Sequence, residues 1–158
     1  MFNFCSLYSG SSGNSLYVES DNTKILIDAG ESAKKITEAL SSINVDPEEI
    51  DAILVTHEHS DHVKGLGTFS KKYNIPVYAN RQTWDAMPEQ EAKVSNKNIK
   101  YFNPSENMEI KDLKIHPFKI PHDAANPCGF NIYTSNNKIS IATDIGHMTS
   151  EIIHKLED

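Results

Sequence analysis

Residues 52–62, A-I-L-V-T-H-E-H-S-D-H, constrain this chain more than any other stretch. The short continuous apolar run over 52–56, ending in a polar residue, predicts a strand buried on both faces, and hence a layered fold with material above and below one sheet. Its carboxyl end delivers the chain into His57, His59, Asp61 and His62, four potential ligands within six residues. Two histidines at i and i+2 cannot share a helix face, but at a strand end turning into a loop both can face one ion. Asp61 and His62, where the next helix begins, can then face a second ion a few ångströms away. Imidazole and carboxylate suit Zn, Mn or Fe rather than a soft thiolate site. The competing reading is a polar loop whose histidines merely cap a helix. Histidine is scarce in average composition, and three of them beside an aspartate favour ligation.

Alternation, β-branched residues and turn punctuation predict an opening β-meander over 2–7, 15–19 and 23–28. Ser32 is a candidate N-cap for an amphipathic helix over 33–43, with Ile36, Leu40 and Ile43 at helical spacing. Asp46-Pro47-Glu48-Glu49 repeats a helix-start pattern that lasts only to about residue 50. A helix is expected from 61 or 62 to about 73, a strand over 76–79 and a short helix over 81–87. From residue 99 the pattern changes to successive strands over 99–102, 107–110, 113–120, 129–134 and 138–143, and a last helix is expected over 149–156. The architecture is α+β in a single domain, residues 1–158, with sheets first and helices covering them.

The 158 residues carry 15 Lys+Arg against 22 Asp+Glu, a formal charge of −7. That balance disfavours broad electrostatic adhesion to nucleic acid, although bound cations can neutralise carboxylates where a phosphate sits. Two cysteines, Cys5 and Cys128, are too few for a secreted disulfide scaffold and point to a reducing, cytoplasmic setting. No apolar run approaches the roughly 20 residues of a membrane span, and the start lacks a signal-peptide pattern.

T-H-E-H-S-D-H after a buried strand resembles the H-x-H-x-D-H signature of the metallo-β-lactamase superfamily. The resemblance implies an αββα sandwich with a binuclear site of two divalent metal ions at one sheet edge. It also orders the rest of the chain. Asp28, closing T-K-I-L-I-D-A-G, matches the first motif, a structural acid beside the site; His122 matches the third-motif histidine; Asp144, in I-A-T-D-I-G, matches the fourth-motif carboxylate that bridges both metals. The implied ligands are His57, His59 and His122 for one ion and Asp61, His62 and Asp144 for the other, with Asp61 also orienting the nucleophile.

Further strings, S-L-Y-S-G-S-S-G-N-S, V-T-H-E-H-S-D-H-V-K-G-L-G and P-V-Y-A-N-R-Q-T-W, resemble the YycJ/WalJ/VicX-like branch of bacterial cytoplasmic metallohydrolases. That branch implies hydrolysis of a phosphodiester in DNA or RNA, exonuclease-like, by a metal-bridging hydroxide. Histidine rather than glutamate at position 59 separates the chain from flavodiiron relatives. The alternatives are a small-molecule metallohydrolase of thioesterase or lactonase type, and an inactive fragment or regulatory module. The last arises because the family's fifth-motif histidine is expected beyond Asp158. On that reading the chain is the N-terminal portion of the fold, truncated after the fourth motif, carrying mainly one half of the sandwich and self-associating through an uncovered sheet face.

Other candidates are weaker. Asn14, in a small-residue loop able to form an anion nest, and His147, three residues after Asp144, are candidate substrate contacts. His116 is expected to be a structural histidine, His154 a solvated one, Trp84 a core residue rather than a base-stacking platform, and Cys5 a buried small hydrophobe.

Overall fold

A computed structural model describes residues 2–142. The expected meander is present as β1 (Phe2–Tyr8), β2 (Ser15–Ser20) and β3 (Lys24–Ile27). There follow α1 (Ala33–Ser42), a 3-10 turn at Pro47–Glu49, β4 (Ala52–Leu54), α2 (Ser60–Val63), α3 (Leu66–Tyr73), β5 (Val77–Ala79), α4 (Arg81–Asp85) and α5 (Pro88–Lys93). After a second 3-10 turn at Asn96–Asn98 come β6 (Ile99–Tyr101), β7 (Met108–Ile110), β8 (Leu113–Lys119), β9 (Cys128–Tyr133) and β10 (Lys138–Ile141). Strands β1 to β6 form one sheet in sequence order, antiparallel from β1 to β3 and parallel from β3 to β6. Strands β10-β9-β8-β7 form a second, antiparallel sheet.

The two-residue period of the strands decides the layering. Leu26, Ile53 and Val77 point to one face of the six-stranded sheet, where Ile36 and Leu40 of α1, Leu66 and Phe69 of α3, and Trp84 of α4 cover them. Ile25, Ile27, Ala52 and Leu54 point to the other face and pack against Leu113, Ile115, Phe130 and Ile132 of the second sheet. Each fully buried Leu or Ile contributes about 1.5–3 kcal/mol relative to exposure, so both faces carry the fold. Three layers of the αββα sandwich therefore stand within the described residues.

This packing corrects the expectation of half a sandwich. The strands from β7 onward pair with one another in a second sheet whose apolar face packs on the first, so the apolar face invoked for self-association is covered. A clasp holds the sheets at the end remote from the histidines: Asp112 accepts from Ser20 Oγ at 2.7 Å and from the Thr23 hydroxyl, and Lys111 pairs with Asp51 at 2.7 Å. The Thr23 hydroxyl, helped by Ser20, lowers the Asp112 carboxyl below its ordinary range.

The helix expected from 61 or 62 to 73 is two helices. The break falls at Lys64–Gly65, where Gly65 N–H donates to Ala29 O at 2.9 Å and a Cβ would stand 1.9 Å from the Glu31 carbonyl oxygen. Helix α4 stops at Asp85, and Pro88 opens α5 at its first position, where a missing N–H costs nothing. Cys5 is half-buried on the edge strand β1 rather than enclosed. Cys128 is buried, and burial pushes its thiol up to about 11. Trp84 is a core residue as expected, its indole N–H donating to Lys100 O at 2.8 Å. His116 lies on β8 hydrogen-bonded to Asn107. Among the described residues no helix is long and apolar enough to cross a membrane. The expected helix over 149–156, with Asp144, His147 and His154, lies outside the described residues.

Candidate metal centre

Strand β4 ends in the middle of the parallel half of the sheet, and the polar residues after it emerge between the two sheets. Thr56 O accepts from Cys128 N–H at 2.9 Å, which joins the end of β4 to the start of β9. His122 arrives from the other side, in the loop between β8 and β9. Glu58 secures that loop by accepting from Ala125 N–H at 3.0 Å.

The rings of His57, His59 and His122 form a triangle with all three centroid separations at 4.8 Å. One ring nitrogen from each lies within 4.8 Å of the others. His122 Nε2 and His59 Nδ1 stand 3.2 Å apart. Two imidazole nitrogens on one tetrahedral zinc at 2.0–2.1 Å are about 3.3 Å from each other, so the spacing and the all-nitrogen donor set fit a borderline divalent ion. The His62 ring comes next, 4.1 Å from that of His57.

Asp28 organises the buried side of this cluster. Its backbone is left-handed at φ 66°, a conformation aspartate tolerates better than most residues, and Ser15 Oγ anchors it by donating to Asp28 O at 2.8 Å. The Asp28 carboxylate accepts three bonds: Thr56 N–H at 2.8 Å, Thr56 Oγ1–H at 2.7 Å and His62 Nδ1 at 2.7 Å. Because the carboxylate only accepts, the single Thr56 hydroxyl proton points at Asp28. His57 Nδ1, 2.8 Å from the same hydroxyl, must then be the donor in that contact. Both His57 and His62 are thereby held as Nδ1–H tautomers with the lone pair on Nε2, the state a metal ligand requires. Burial, reinforced by the neighbouring His62, lowers the His57 pKa to about 4, so this imidazole is neutral at physiological pH.

Asp61 is positioned chiefly through main-chain bonds. Asn14 N–H donates to Asp61 O at 2.8 Å, Gly30 N–H to Asn14 O at 2.8 Å and Ala29 N–H to His62 O at 2.8 Å. A Cβ at Gly30 would lie 1.8 Å from Asp61 O, so only glycine admits this approach. The Asn14 side-chain amide, expected as a substrate contact, reaches Asp61 Oδ2 at 3.2 Å. Asp61 Oδ2 is 3.6 Å from His62 Nε2. The fold thus brings Asn14, Asp28, His57, His59, Asp61, His62 and His122 together at one sheet edge. It adds Thr56 and Glu58, whose roles no sequence spacing announces, since one acts through a hydroxyl hidden in a strand end and the other through a loop remote in sequence.

A histidine–aspartate cluster set between the sheets of a sandwich defines a class, and the family comparison agrees: residues 8–156 match the metallo-beta-lactamase superfamily, to which this chain belongs. Within it, the chain is 39% identical over 159 residues to the exodeoxyribonuclease WalJ of Streptococcus pneumoniae serotype 2, covering 99% of this chain and 59% of that protein. It is 38% identical over 149 residues to the exodeoxyribonuclease YycJ of Bacillus anthracis, covering 94% of this chain and 56% of that one. The chain thus spans less than two thirds of the length of these relatives. Among solved structures, the metallo-beta-lactamase fold protein YhfI from Bacillus subtilis superposes with a TM-score of 0.65 at 20% identity, over 82% of this chain and 54% of that one, which speaks to the fold alone.

Proposed function

We propose that this chain forms the metal-binding domain, over residues 1–158, of a nuclease that hydrolyses phosphodiester bonds in DNA or RNA with two divalent ions, Zn or Mn, with Fe as a third choice. The observation that carries the reading is the His57–His59–His122 triangle, with donor nitrogens within 4.8 Å, in a chain that matches, over 94–99% of its own length, relatives named exodeoxyribonucleases. His57, His59 and His122 hold one ion; Asp61 and His62, with Asp144 from outside the described residues, hold the other. Such ions supply Lewis acidity and acidify water towards neutrality. The chain's own contribution is placement. Asp28 and Thr56 keep the buried imidazoles in the liganding tautomer, and Asn14 with Gly30 fixes Asp61, whose carboxylate holds the attacking water and accepts its proton as the oxygen adds to phosphorus and the P–O ester bond breaks. A hydroxyacylglutathione hydrolase from Pectobacterium carotovorum matches at 39% identity but over only 40% of this chain, which favours the nuclease over the thioesterase reading.

The test is metal content and cleavage measured together. Purified without chelator, the wild-type chain should bind Zn or Mn; its shortening of a labelled single-stranded oligonucleotide should be abolished by EDTA and slow, because the ligands named here leave the second ion one histidine short of the family's set. His59→Ala should lose at least one ion per chain. Wild-type occupancy in that variant would remove His59 from the ligand set, and turnover of a thioester but not of the oligonucleotide would move the chain to the other hydrolase class.

A further inference from the structure

Because β4, β5 and β6 run parallel, their carboxyl ends open on the same edge of the sheet, and the residues at and just past those ends line that edge in turn. After β4 come the histidines. After β5 come Asn80 and Arg81, and at the end of β6 stand Tyr101 and Phe102. Neighbouring strands are about 4.8 Å apart, so the β6 end lies about 10 Å along the edge from the β4 end. A groove of about 470 Å³ occupies that position, lined among others by Arg81, Gln82, Tyr101, Asn103, Lys119 and Asn126.

Three properties set this groove apart from an ordinary surface dent. Tyr101 is 51% exposed, one of two large hydrophobic side chains so exposed among the described residues, and the Arg81 guanidinium lies over its ring at 5.0 Å from the centroid. The charged lining residues are Arg81 and Lys119, with no carboxylate among the described lining, in a chain whose net charge is −7. Among the described residues neither cation forms an ion pair with a carboxylate. The floor is also tied to the metal centre. Asn80 donates from Nδ2 to Asn126 O at 2.8 Å while its Oδ1 caps α4 through Thr83 N–H at 2.8 Å, and Asn126 belongs to the same loop as His122. The orientation of the groove relative to the histidines is therefore fixed by hydrogen bonds.

We infer that this groove holds single-stranded nucleic acid, with a base stacked on the Tyr101–Arg81 pair and backbone phosphates on Arg81 and Lys119. An aromatic ring or a guanidinium plane stacks any unpaired base, and cations without a carboxylate partner track the backbone. At about 3.4 Å per stacked nucleotide, the platform sits within three nucleotides of the histidines. A strand seated there reaches the metal centre with its phosphate in place, and a duplex, whose bases are already stacked, gains nothing from the ring. The inference rests on the nuclease reading and specifies how its substrate is gripped.

Binding without cleavage separates the two. In EDTA, the anisotropy of a fluorescein-labelled single-stranded oligonucleotide of about 12 nucleotides reports affinity alone. Tyr101→Ala should weaken it on the order of tenfold, Tyr101→Phe should keep it, and Arg81→Gln and Lys119→Gln should each weaken it and lower the salt slope by about 0.7. A matched duplex should bind more weakly and ignore Tyr101→Ala, whereas an RNA strand showing the same losses as DNA supports the groove equally. Far-UV circular dichroism checks that Tyr101→Ala, at an edge strand and half exposed, stays folded, and Arg81→Gln supplies an independent variant. Equal affinity of wild type, Tyr101→Ala and Arg81→Gln, or no binding by wild type, overturns the groove. Metal-dependent cleavage of the same oligonucleotide by the wild-type chain then decides separately whether the nuclease reading survives.

Discussion

Thr56→Val tests the tautomer relay at the base of the metal centre. Valine keeps the β-branched shape of threonine at a position with no exposure, so the substitution exchanges the hydroxyl for a methyl with little change in volume. Two bonds go with it: the donation to Asp28 at 2.7 Å and the acceptance from His57 Nδ1 at 2.8 Å. The first is a bond to an ionised group, about 1.5–3 kcal/mol, and the second leaves a buried N–H without its acceptor, about 1–3 kcal/mol. Asp28 keeps two of its three bonds, which offsets part of the sum, so a net destabilisation of about 2–4 kcal/mol is expected in a urea titration. His57 loses the partner that fixes its proton on Nδ1, and metal affinity should fall about 10–100-fold in competition against a chromophoric chelator. The ring ¹⁵N shifts of His57 distinguish this from loose packing, because the variant should populate the Nε2–H form. A variant that retains the Nδ1–H tautomer and wild-type metal affinity would refute the relay, whatever its stability.

The same geometry sets three further outcomes. Asp61→Asn keeps the shape and the Asn14 contacts but is a poor proton acceptor, so it should lose catalytic rate by at least about 100-fold while the His57–His59–His122 ion remains; equal turnover on an oligonucleotide would remove Asp61 from proton transfer. Gly30→Ala forces a methyl into the Asp61 carbonyl and should cost about 1–3 kcal/mol in urea along with the second ion, against no change if the segments can separate. In the chelated protein His57, with its pKa lowered to about 4 against about 6.5 unfolded, binds its proton more readily in the unfolded chain, so stability should be full above about pH 7 and fall as the pH drops from 6.5 to 4, by at most about 3 kcal/mol. Urea midpoints across that range should show a shallower slope in His57→Gln, and parallel curves would contradict the assignment.

Much of this was legible in the chain because the signals are local. The β4 run, the histidine spacing behind it and the alternation of β7 to β10 each lie within a few residues, and a strand's period survives whatever packs on it. The illegible parts depend on approach between distant segments. Gly65 and Gly67 permit a helix break after Lys64 but do not require one, because the break is made by Ala29 and Glu31 docking on Gly65. Asn14 reads as a loop residue until β2 and β3 carry it beside Asp61. Helix α5, P-E-Q-E-A-K, buries none of its residues and so has no apolar period to read. Sheet stacking was equally hidden, since alternation names a buried face but not the partner that buries it.

The lattice joining Asn14, Ala29, Gly30, Asp61, His62 and Gly65 is made of peptide groups, which every amino acid possesses. Drift in the side chains around it leaves the carboxylate where it is, whereas the two glycines cannot be exchanged without parting the strands of the lattice. A lineage can therefore rewrite the rim of this centre for a new substrate while inheriting the position of its aspartate unchanged.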